Sequence, residues 1–320
     1  MSAKIVVVGS YVQDLAFRME QFPSGGETRL AQFALGPGGK GFNQAVAAHR
    51  QGVATTFVGA VGNDPFSGAL QSFLQTERLP VLLETHSDAH TGAAGILVNG
   101  KAENLIAVAL GANAKLSVGF VHHHAALLSK AQVLLTQLES ALPATQEALA
   151  IVKRNGGTTI LNPAPINPEV TMELLGAVDV LVPNESEFAF LSRELLQRNA
   201  PTNLEGLPDQ EWRNILKALT VPTLLVTLGQ LGAVLVHHGE VRRIAAIDAN
   251  AVDTTGAGDA FCGGLAAGLI HFAGDLPEAA HYATVVAGLS TEQRGTAPAM
   301  PTRTAVLSRW RSQNPTAQAV

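Results

Sequence analysis

The sequence predicts an α/β protein, a three-layer α/β/α sandwich with a mostly parallel central sheet and a small β-sheet lid. Short apolar runs without polar alternation recur along the 320 residues, as expected of strands that are covered on both faces. Helix-compatible segments separate most of these runs, and this alternation is typical of parallel sheets flanked by helices. Two other segments carry turn signals, and no helical pattern fits them.

The predicted strands of the central sheet are rich in β-branched residues. They lie at 5–9, 55–62, 132–139, 158–165, 178–185 and 222–229. The helices predicted between them lie at 42–51, 64–78, 143–155, 185–198 and 210–219. Polar residues and glycines follow the strands at their carboxyl ends, the edge at which open α/β sheets bind ligands. We therefore expect the functional site in these loops.

The two segments that interrupt the alternation are 11–36 and 91–110. PSGGET and NGKAEN are turn signals within them, between runs of strand length. Two structures are compatible with this pattern: edge hairpins, or a small sheet that projects from the main body and covers a site. We expect the second, a lid. Because no linker or change in composition divides the chain, we predict a single domain over 1–320.

Composition excludes several classes of partner. The formal net charge is −5 and the pI is about 6.1, so the chain lacks the basic character typical of proteins that bind nucleic acid. A single cysteine cannot form an internal disulfide and fits a reducing compartment. The first apolar run has four residues before Gly9, too few for a signal peptide or a membrane span. We expect a cytoplasmic protein that binds neither nucleic acid nor a membrane.

The stretch VDTTGAGDAFC, 252–262, joins a strand-like segment to a helix-compatible one. The unpaired N–H groups and the dipole of a helix N-terminus favour an anion, and Gly256 and Gly258 allow the backbone to approach it closely. A P-loop would carry a lysine here, whereas this stretch carries Asp259. An isolated aspartate at a helix start is usually a cap. Between a donor phosphate and an acceptor hydroxyl, however, it acts as a general base.

A second glycine cluster, LGPGGKGFNQAVAAHRQG at 35–52, precedes a strongly helical stretch. A dinucleotide-binding fingerprint would directly follow the first strand, and this cluster comes about 30 residues later. Two interpretations remain: a plain helix N-terminus, or a tight loop that brings Lys40 and Asn43 to a ligand. An asparagine side chain can both donate to and accept from a sugar hydroxyl.

Together the two stretches carry a family resemblance. Residues 36–52 resemble the first signature of the ribokinase-like (PfkB) carbohydrate kinases, and DTTGAGDAFCGG resembles the second. Further matches run over nearly the whole chain, among them PSGGET, GANAKL, LLTQLE, LNPAP, PNESE and TLGQLG. The resemblance implies an α/β sandwich with a four- or five-stranded lid. It also implies a phosphotransferase that uses ATP to phosphorylate the primary hydroxyl of a small sugar.

The resemblance implies a role for each matching residue of the GAGD stretch. Asp259 would take the proton from the sugar hydroxyl. The backbone amides of Gly256, Ala257 and Gly258 would form the anion hole for the transferring phosphoryl group. The sugar site would comprise Asp259 together with Asp14, Gly39, Lys40, Asn43 and Glu139.

Contacts with ATP and two cations are implied in the same way. The residues that match the ATP site are Asn184, Thr227, Gly229, Gly232 and Gly258. Asn184 and Glu187 also match a Mg²⁺ motif, in which water mediates the contact, as is common for this ion. The residues that match an activating monovalent-cation site, usually K⁺, are Asp253, Thr255, Ser290, Gln293 and Gly295. The implied protein partner is a second copy of the chain, in a homodimer formed through the lid.

One departure from the family pattern concerns the acceptor. Members that phosphorylate ribose are expected to carry Asn two residues before the sugar-binding Asp, where GSYVQD has Val12. Valine cannot bond to a hydroxyl, so one sugar contact is lost, or Tyr11 or Gln13 replaces it. D-Ribose, giving ribose 5-phosphate, is the leading acceptor. The alternatives are a nucleoside, another ketose or a sugar acid, and a non-catalytic sugar-binding regulator is a further hypothesis.

Four features have simpler interpretations. The histidines at 122–124 lack a carboxylate at ligand spacing, so we expect an exposed cluster rather than a metal site. Asp64 is predicted to cap a helix. Cys262 is predicted to be a small buried apolar residue. Residues 310–320 are predicted to form a frayed tail.

Overall fold

The computed structural model describes residues 3–101, 103–201 and 203–313. In chain order the strands are β1 (Ile5–Val8), β2 (Val12–Arg18), β3 (Gln32–Gly38), β4 (Thr55–Gly62), β5 (Val81–His86), β6 (Gly92–Val98), β7 (Asn104–Ala109), β8 (Val133–Thr136), β9 (Thr158–Leu161), β10 (Val180–Leu181), β11 (Thr223–Thr227), β12 (Ala233–His237) and β13 (Glu240–Ile244). The helices are α1 (Lys40–Arg50), α2 (Pro65–Glu77), α3 (Val118–His123), α4 (Ala125–Leu128), α5 (Leu142–Arg154), α6 (Met172–Gly176), α7 (Glu185–Leu196), α8 (Asp209–Leu219), α9 (Ala257–His271), α10 (Leu276–Ser290) and α11 (Arg303–Gln313).

Nine strands form the central sheet, in the order β13-β12-β11-β10-β9-β8-β1-β4-β5. Every pairing from β5 to β11 is parallel, and β11, β12 and β13 pair antiparallel at one edge. All six predicted strands lie in this sheet, so the prediction of a mostly parallel central sheet is confirmed. No described helix is both long and apolar enough to cross a membrane.

Apolar side chains fill both faces of the sheet. Along β1, Ile5 and Val7 belong to a core shared with α1, α9 and α10, whereas Val6 and Val8 belong to a second core shared with α5 and α8. All four side chains are fully buried. The alternation of side chains along a strand thus sends neighbouring residues into opposite helical layers. The molecule has the three layers that the sequence predicts.

A separate four-stranded sheet, which we call the small sheet, has the order β3-β2-β6-β7. Its strands fall within the two segments predicted to form a lid, except that β3 continues to Gly38. Side chains on one face of β2 include Asp14 and Arg18, and both contact the main body: Asp14 bonds to Thr296 and Arg18 pairs with Asp253. The small sheet is therefore joined to the large one by polar contacts at its inner face.

Helices α1 and α9 are packed closely enough to bring the two glycine-rich stretches together. A Cβ placed on Gly263 would lie 2.5 Å from both the Ala47 Cβ and the Gln44 carbonyl oxygen. Only glycine fits at this contact, because real Cβ atoms do not approach other atoms so closely. The first turns of the two helices also meet, since Asn43 and Gln44 of α1 both donate to Asp259 of α9.

One prediction of local structure needs correction. The predicted tail at 310–320 overlaps α11, whose Trp310 is buried among aromatic side chains of the core, and 314–320 lie outside the described residues. Strand β5 was not predicted. Two other predictions are confirmed: Asp64 caps α2 by accepting from the N–H groups of Phe66 and Ser67, and Cys262 is buried. The predicted exposed histidine cluster is confirmed for His122 and His123, whereas His124 is half-buried.

Candidate active site

A cleft of about 170 Å³ opens where β9, β10 and β11 end and where α1, α7 and α9 begin. It is lined by Lys40, Asn162, Ala164, Val182, Asn184, Glu187, Thr227, Thr254, Gly256, Ala257, Gly258, Asp259 and Cys262. Eight of these residues are predicted site residues. They come from four separate regions of the sequence, and the fold brings them to one place.

Asp259 is buried in the first turn of α9, and each of its carboxylate oxygens accepts one amide hydrogen bond. Asn43 Nδ2 donates to Oδ2 at 2.9 Å, and Gln44 Nε2 donates to Oδ1 at 3.0 Å. A carboxylate held by two donors in a cleft is fixed in direction. Asp259 is not the cap of α9, because a capping side chain accepts from the backbone of its own helix. The N-cap residue is Gly256.

The backbone around Asp259 turns sharply before the helix. Gly256 is the N-cap and has a φ of 80°, in the left-handed region that glycine adopts without strain. The N–H of Ala257 donates to the Thr254 carbonyl at 3.2 Å, so this amide is already used within the turn. The N–H of Gly258 belongs to the first turn of α9, where helical acceptors are missing. The Gly258 amide therefore fits an anion better than the Ala257 amide.

Asn43 carries a buried acceptor without a partner. Its side chain is 4% exposed, and its Oδ1 has no hydrogen bond although its Nδ2 is paired with Asp259. An unpaired buried acceptor is costly, and a ligand hydroxyl would satisfy it. This orphan oxygen lies in a side chain that contacts Asp259, and it is free to accept a hydrogen bond.

Lys40 and Glu139 lie next to one another on the sugar side predicted from the sequence. Glu139 Oε2 accepts from the Lys40 backbone N–H at 2.9 Å and from Ser10 Oγ at 2.6 Å. Burial alone lowers the pKa of the Lys40 ammonium, but the carboxylates of Asp259, Glu139 and Glu187 outweigh it and raise the pKa. Lys40 therefore stays charged in the cleft and can bind an anion.

Asp14 lies beside the cleft rather than in its lining. Thr296 Oγ1 donates to Asp14 Oδ2 at 3.0 Å. The Asp14 carboxylate also packs against Gly38, where a Cβ would clash with Oδ2, so a side chain at position 38 would displace it. Burial is the main reason that the pKa of Asp14 is raised to about 6, and the negative charges of Glu139 and Asp259 add to it. The Thr296 hydrogen bond acts in the opposite direction. Gly39, the N-cap of α1, accepts from the Asn43 N–H and so links this region to α1.

Asn184 and Glu187 form a reciprocal cap at the start of α7. Asn184 Oδ1 accepts from the Glu187 N–H, and Glu187 Oε2 accepts from the Asn184 N–H, each at 2.9 Å. Burial raises the pKa of Glu187, and Asp259 adds to the effect. No group of three or more His, Cys, Asp or Glu side chains able to hold a metal occurs in the described part of the chain. This sparse set of oxygens fits a Mg²⁺ ion held mainly by water and phosphate.

Of the predicted nucleotide loop, only Thr227 reaches the cleft. Its N–H donates to the Pro183 carbonyl at 3.0 Å, which places it beside Asn184. Gly229 and Gly232 lie in the turn that follows β11, outside the cleft lining. Gly229 is exposed, whereas Gly232 is packed against the backbone of Ile244.

The loops predicted to hold a monovalent cation meet at Asp253. Its carboxylate accepts from the Thr255 N–H at 3.0 Å and from the Gly295 N–H at 3.2 Å, and Arg18 lies 3.7 Å away. The backbone N–H of Asp253 also donates to the Thr291 carbonyl. Ser290 is buried at the end of α10, and Gln293 lies in the turn that follows this helix. The Asp253 carboxylate is thus contacted by two backbone N–H groups and by the Arg18 guanidinium.

Val12 is buried in an apolar cluster with Ala94 and Ile96, on the same face of the small sheet as Asp14. Its two neighbours in sequence do not replace a missing hydrogen bond. Tyr11 donates its hydroxyl to Gln13 Oε1 at 3.0 Å, and Gln13 Nε2 donates to the Gly36 carbonyl at 2.7 Å. Both side chains are thus already used within the protein.

Sequence reasoning missed several polar residues around Asp259. Gln44, Gln137 and Asn162 form a buried amide network behind it, Ser10 holds Glu139, and Thr296 holds Asp14. Gln44 directly follows Asn43 in the glycine-rich signature, which is the one signal that pointed to it. Gln137, Asn162 and Ser10 lie in the motifs LLTQLE, LNPAP and GSYVQD, but their contacts depend on tertiary structure, and Thr296 lies outside every quoted motif.

Residues 2–303 match the sequence model of the "pfkB family carbohydrate kinase". The chain therefore belongs to the pfkB family of carbohydrate kinases, phosphotransferases with an alcohol group as acceptor that use ATP.

Individual relatives give finer likenesses. The chain is 33% identical over 306 residues to a ribokinase of Staphylococcus aureus, covering 94% of this chain and 97% of the other. It is 32% identical over 305 residues to a deoxyribokinase of Salmonella typhimurium, covering 93% and 95%. Among solved structures, the ribokinase of Arabidopsis thaliana complexed with ribose and ATP superimposes with a TM-score of 0.83 at 30% identity, over 96% of this chain and 98% of that one.

Proposed function

We propose that this kinase transfers the γ-phosphoryl group of ATP to the primary hydroxyl of a pentose, with D-ribose, giving ribose 5-phosphate, as the leading acceptor. The observation that carries the proposal is the placement of Asp259. It is fixed on both oxygens, lies in the cleft between a helix N-terminus and the orphan acceptor of Asn43, and is flanked by Lys40. The names of the most similar relatives support a five-carbon acceptor.

In the proposed reaction the chain supplies position and charge. Asp259 takes the proton of the sugar hydroxyl as the new oxygen–phosphorus bond forms and the bond to the ADP leaving group breaks. Asp14, Asn43 and Glu139 bind the sugar, and Gly39 shapes the loop beside it. Lys40 and the N–H of Gly258, with Gly256 and Ala257 in the turn, stabilise the negative charge of the phosphoryl group. Thr227, Gly229 and Gly232 lie along the nucleotide.

The cation sites complete the proposal. Mg²⁺ would be held through water near Asn184 and Glu187, where it would neutralise phosphate charge. K⁺ would be held by Asp253 and by backbone carbonyls of Thr255, Ser290, Gln293 and Gly295. Because this cation site directly precedes the GAGD turn, its occupation would fix the backbone of Gly256 to Gly258.

A second acceptor, 2-deoxyribose, is favoured by one specific observation. Val12 presents an apolar side chain where the ribose-phosphorylating pattern has an amide, and Tyr11 and Gln13 are bonded to other groups. A sugar that lacks one secondary hydroxyl loses no hydrogen bond beside this apolar side chain. A sugar hydroxyl placed there would be buried without a hydrogen-bond partner. The similarity to a deoxyribokinase is consistent with this alternative.

We also propose that the protein acts as a homodimer and that the small sheet covers the sugar site. The face of the small sheet turned away from Asp14 carries the apolar side chains Phe33, Leu35 and Leu105, each more than half exposed. A contiguous apolar surface of this kind usually marks an interface. A second copy of the chain would cover it.

The test of the function is an ADP-release screen over ribose, 2-deoxyribose, other pentoses, hexoses and nucleosides, with and without K⁺. Asp259→Asn is expected to lower kcat by about 100- to 10,000-fold, because the base is lost. Its affinity for ATP, measured by calorimetry, is expected to stay near that of the wild type. If the variant keeps most of its kcat, Asp259 is not the base. If the wild type phosphorylates none of the acceptors, the hypothesis of a non-catalytic sugar-binding regulator is favoured.

A further inference from the structure

The two amides that hold Asp259 differ in how firmly they are themselves held. Gln44 is fully buried, and its Nε2 donates to Asp259 Oδ1. It is held from behind, because Gln137 Nε2 donates to Gln44 Oε1 at 2.6 Å and Gln44 Nε2 also reaches Asn162 Oδ1 at 3.2 Å. Gln137 is fully buried as well.

These partners leave one orientation for the Gln44 amide. If it were reversed, its oxygen would face the oxygens of Asp259 and Asn162, and its N–H groups would face the donor of Gln137. Three acceptors or two donors would then oppose one another in a buried site, which is unfavourable. The N–H that points at Asp259 Oδ1 is thus fixed mainly by Asn162, whose own amide is oriented because its Nδ2 donates to the Val182 carbonyl at 2.9 Å. Gln137 adds a donor to Gln44 Oε1, although its own Oε1 has no partner.

Asn43 is held by fewer contacts. Its Nδ2 donates to Asp259 Oδ2, and its Oδ1 has no hydrogen bond and can accept one from a ligand hydroxyl. The Asp259 oxygen that it holds, Oδ2, is therefore the one whose partner can be exchanged. Oδ1, held by Gln44, is not.

We propose that Gln44 is a positioning residue for the base: anchored by Gln137 and Asn162, it fixes Oδ1 of Asp259 and leaves Oδ2 to take the proton of the sugar hydroxyl. The inference rests on the proposed function of Asp259. In this step the hydroxyl proton moves to Oδ2, the sugar oxygen bonds to the γ-phosphorus, and the bond from that phosphorus to the ADP oxygen breaks. Gln44 keeps its protons throughout and acts by direction and by stabilising the ionised carboxylate.

The other ionisable groups that face Asp259 come from four elements: Lys40 on α1, Glu187 on α7, Asp14 on β2 and Cys262 on α9. A substitution at Gln44 leaves all of them in place. A change in the kcat–pH profile that a matched buried carboxylate elsewhere on α1 does not produce is then attributed to the contact between Gln44 and Asp259.

The first test replaces Gln44 by Met, which keeps the length of the side chain but removes both polar groups. We expect kcat to fall by about 10- to 100-fold, as for a misdirected catalytic group, with KM for the sugar and the affinity for ATP changed much less. Gln137→Met, which removes only the anchor, is expected to give a smaller loss of the same kind.

The deciding variant is Gln44→Glu, which places a second carboxyl group within hydrogen-bonding distance of Asp259. Two neighbouring carboxyls share a proton, so the acid limb of the kcat–pH profile is expected to move up by about one pH unit or more. Gln51→Glu is the matched control. Gln51 is equally buried at the other end of α1 but bonds to Ala47, Pro301 and Tyr282, so its variant should lose stability without moving the limb.

A folded Gln44→Glu protein whose acid limb coincides with that of the wild type would overturn the inference. So would a Gln44→Met protein with wild-type kcat. If Gln44→Met does not fold, the comparison of Gln44→Glu with Gln51→Glu still decides. A failure of the proposed function itself is recognised separately, since Asp259→Asn would then retain activity.

Discussion

In the proposed site, single side chains determine which sugar is accepted and at which pH. Asp14, in its proposed role as a sugar ligand, accepts hydrogen bonds best when it is ionised, and burial opposes its ionisation. Val12 removes one polar contact from the same face of β2. The two residues are two positions apart and have opposite effects on the polarity of the site, since Asp14 adds a charged acceptor and Val12 adds an apolar side chain.

Asp14 is expected to produce an acid limb near pH 6 in kcat/KM for the sugar, because its pKa is about 6 and its neutral form is a poorer acceptor. Asp14→Asn should remove this limb and lower kcat/KM by about 10- to 100-fold, as for the loss of a hydrogen bond to a charged group. Initial-rate measurements from pH 5 to pH 8 at subsaturating sugar test both points. An unchanged limb in the variant would assign the titration to another group.

The same substitution should stabilise the protein without ligand. The pKa of Asp14 is raised from 3.8 to about 6 on folding, so its contribution to stability is present below pH 3.8 and is lost as pH rises through 6. Asn avoids this cost, which is at most about 3 kcal/mol for a shift of this size. Thermal melts should therefore show a higher Tm for Asp14→Asn at pH 8 and little gain at pH 4. A variant less stable than the wild type at pH 8 would contradict the explanation.

Val12→Asn is expected to raise the preference for ribose over 2-deoxyribose. One added neutral hydrogen bond contributes about 0.5–1.5 kcal/mol, so the ratio of the two kcat/KM values should rise by about 2- to 10-fold. Val12→Ala is the control, since it opens space without adding a polar group. If the ratio changes equally in both variants, Val12 acts through volume and not through polarity.

Secondary-structure elements were the part of this molecule that its sequence predicted best. The six predicted strands of the central sheet and the five helices between them lie within a few residues of their predicted ends, because buried parallel strands are continuous apolar runs. Strand β5 was missed because VLLETH mixes apolar and polar residues at a partly exposed edge. The motifs located the cleft, but the order of contacts in it depends on how α1 meets α9, which no motif specifies.

Gly263→Ala is expected to separate α1 from α9. The new methyl group would lie 2.5 Å from Ala47 and from the Gln44 carbonyl, so the helices must move apart. Overpacking of this kind costs about 1–3 kcal/mol, and it should also lower kcat because Asn43 and Gln44 move with α1. Urea denaturation and initial rates measure the two effects.

Gly68→Ala is the control for that substitution. Gly68 lies within α2, and a Cβ there would meet nothing within 4 Å. Alanine favours a helix over glycine by about 0.5–1 kcal/mol, so this variant should be slightly more stable and fully active. If the two variants behave alike, the close contact at Gly263 has no structural importance.

At the scale of the whole molecule, the small sheet is the element whose surroundings are incomplete in a single chain. Its inner face is tied to the main body through Thr296 and Asp253, while its outer face leaves Phe33, Leu35 and Leu105 exposed. Replacing Leu35 and Leu105 together by Asp should convert the proposed dimer to a monomer, because burial of two charges at the interface is unfavourable.

Light scattering combined with size-exclusion chromatography measures this change of assembly. Val118→Asp serves as the control, since Val118 is an exposed apolar residue in the first turn of α3 and away from the small sheet. A wild-type protein that is monomeric at micromolar concentration would refute the dimer. If the double variant is still a dimer, the interface lies on another surface of the molecule.

The burial of Cys262 gives the molecule a chemical reporter of its own state. It is the only thiol of the chain, it lies one turn beyond Asp259, and it forms part of the cleft wall. Burial, reinforced by the carboxylates of Asp259 and Glu187, raises the pKa of this thiol, so the reactive thiolate is scarce in the folded protein. Alkylating reagents can then modify the chain only when the cleft opens. The rate of alkylation therefore reports how often Cys262 becomes accessible. A ligand that occupies the cleft and keeps it closed should lower this rate.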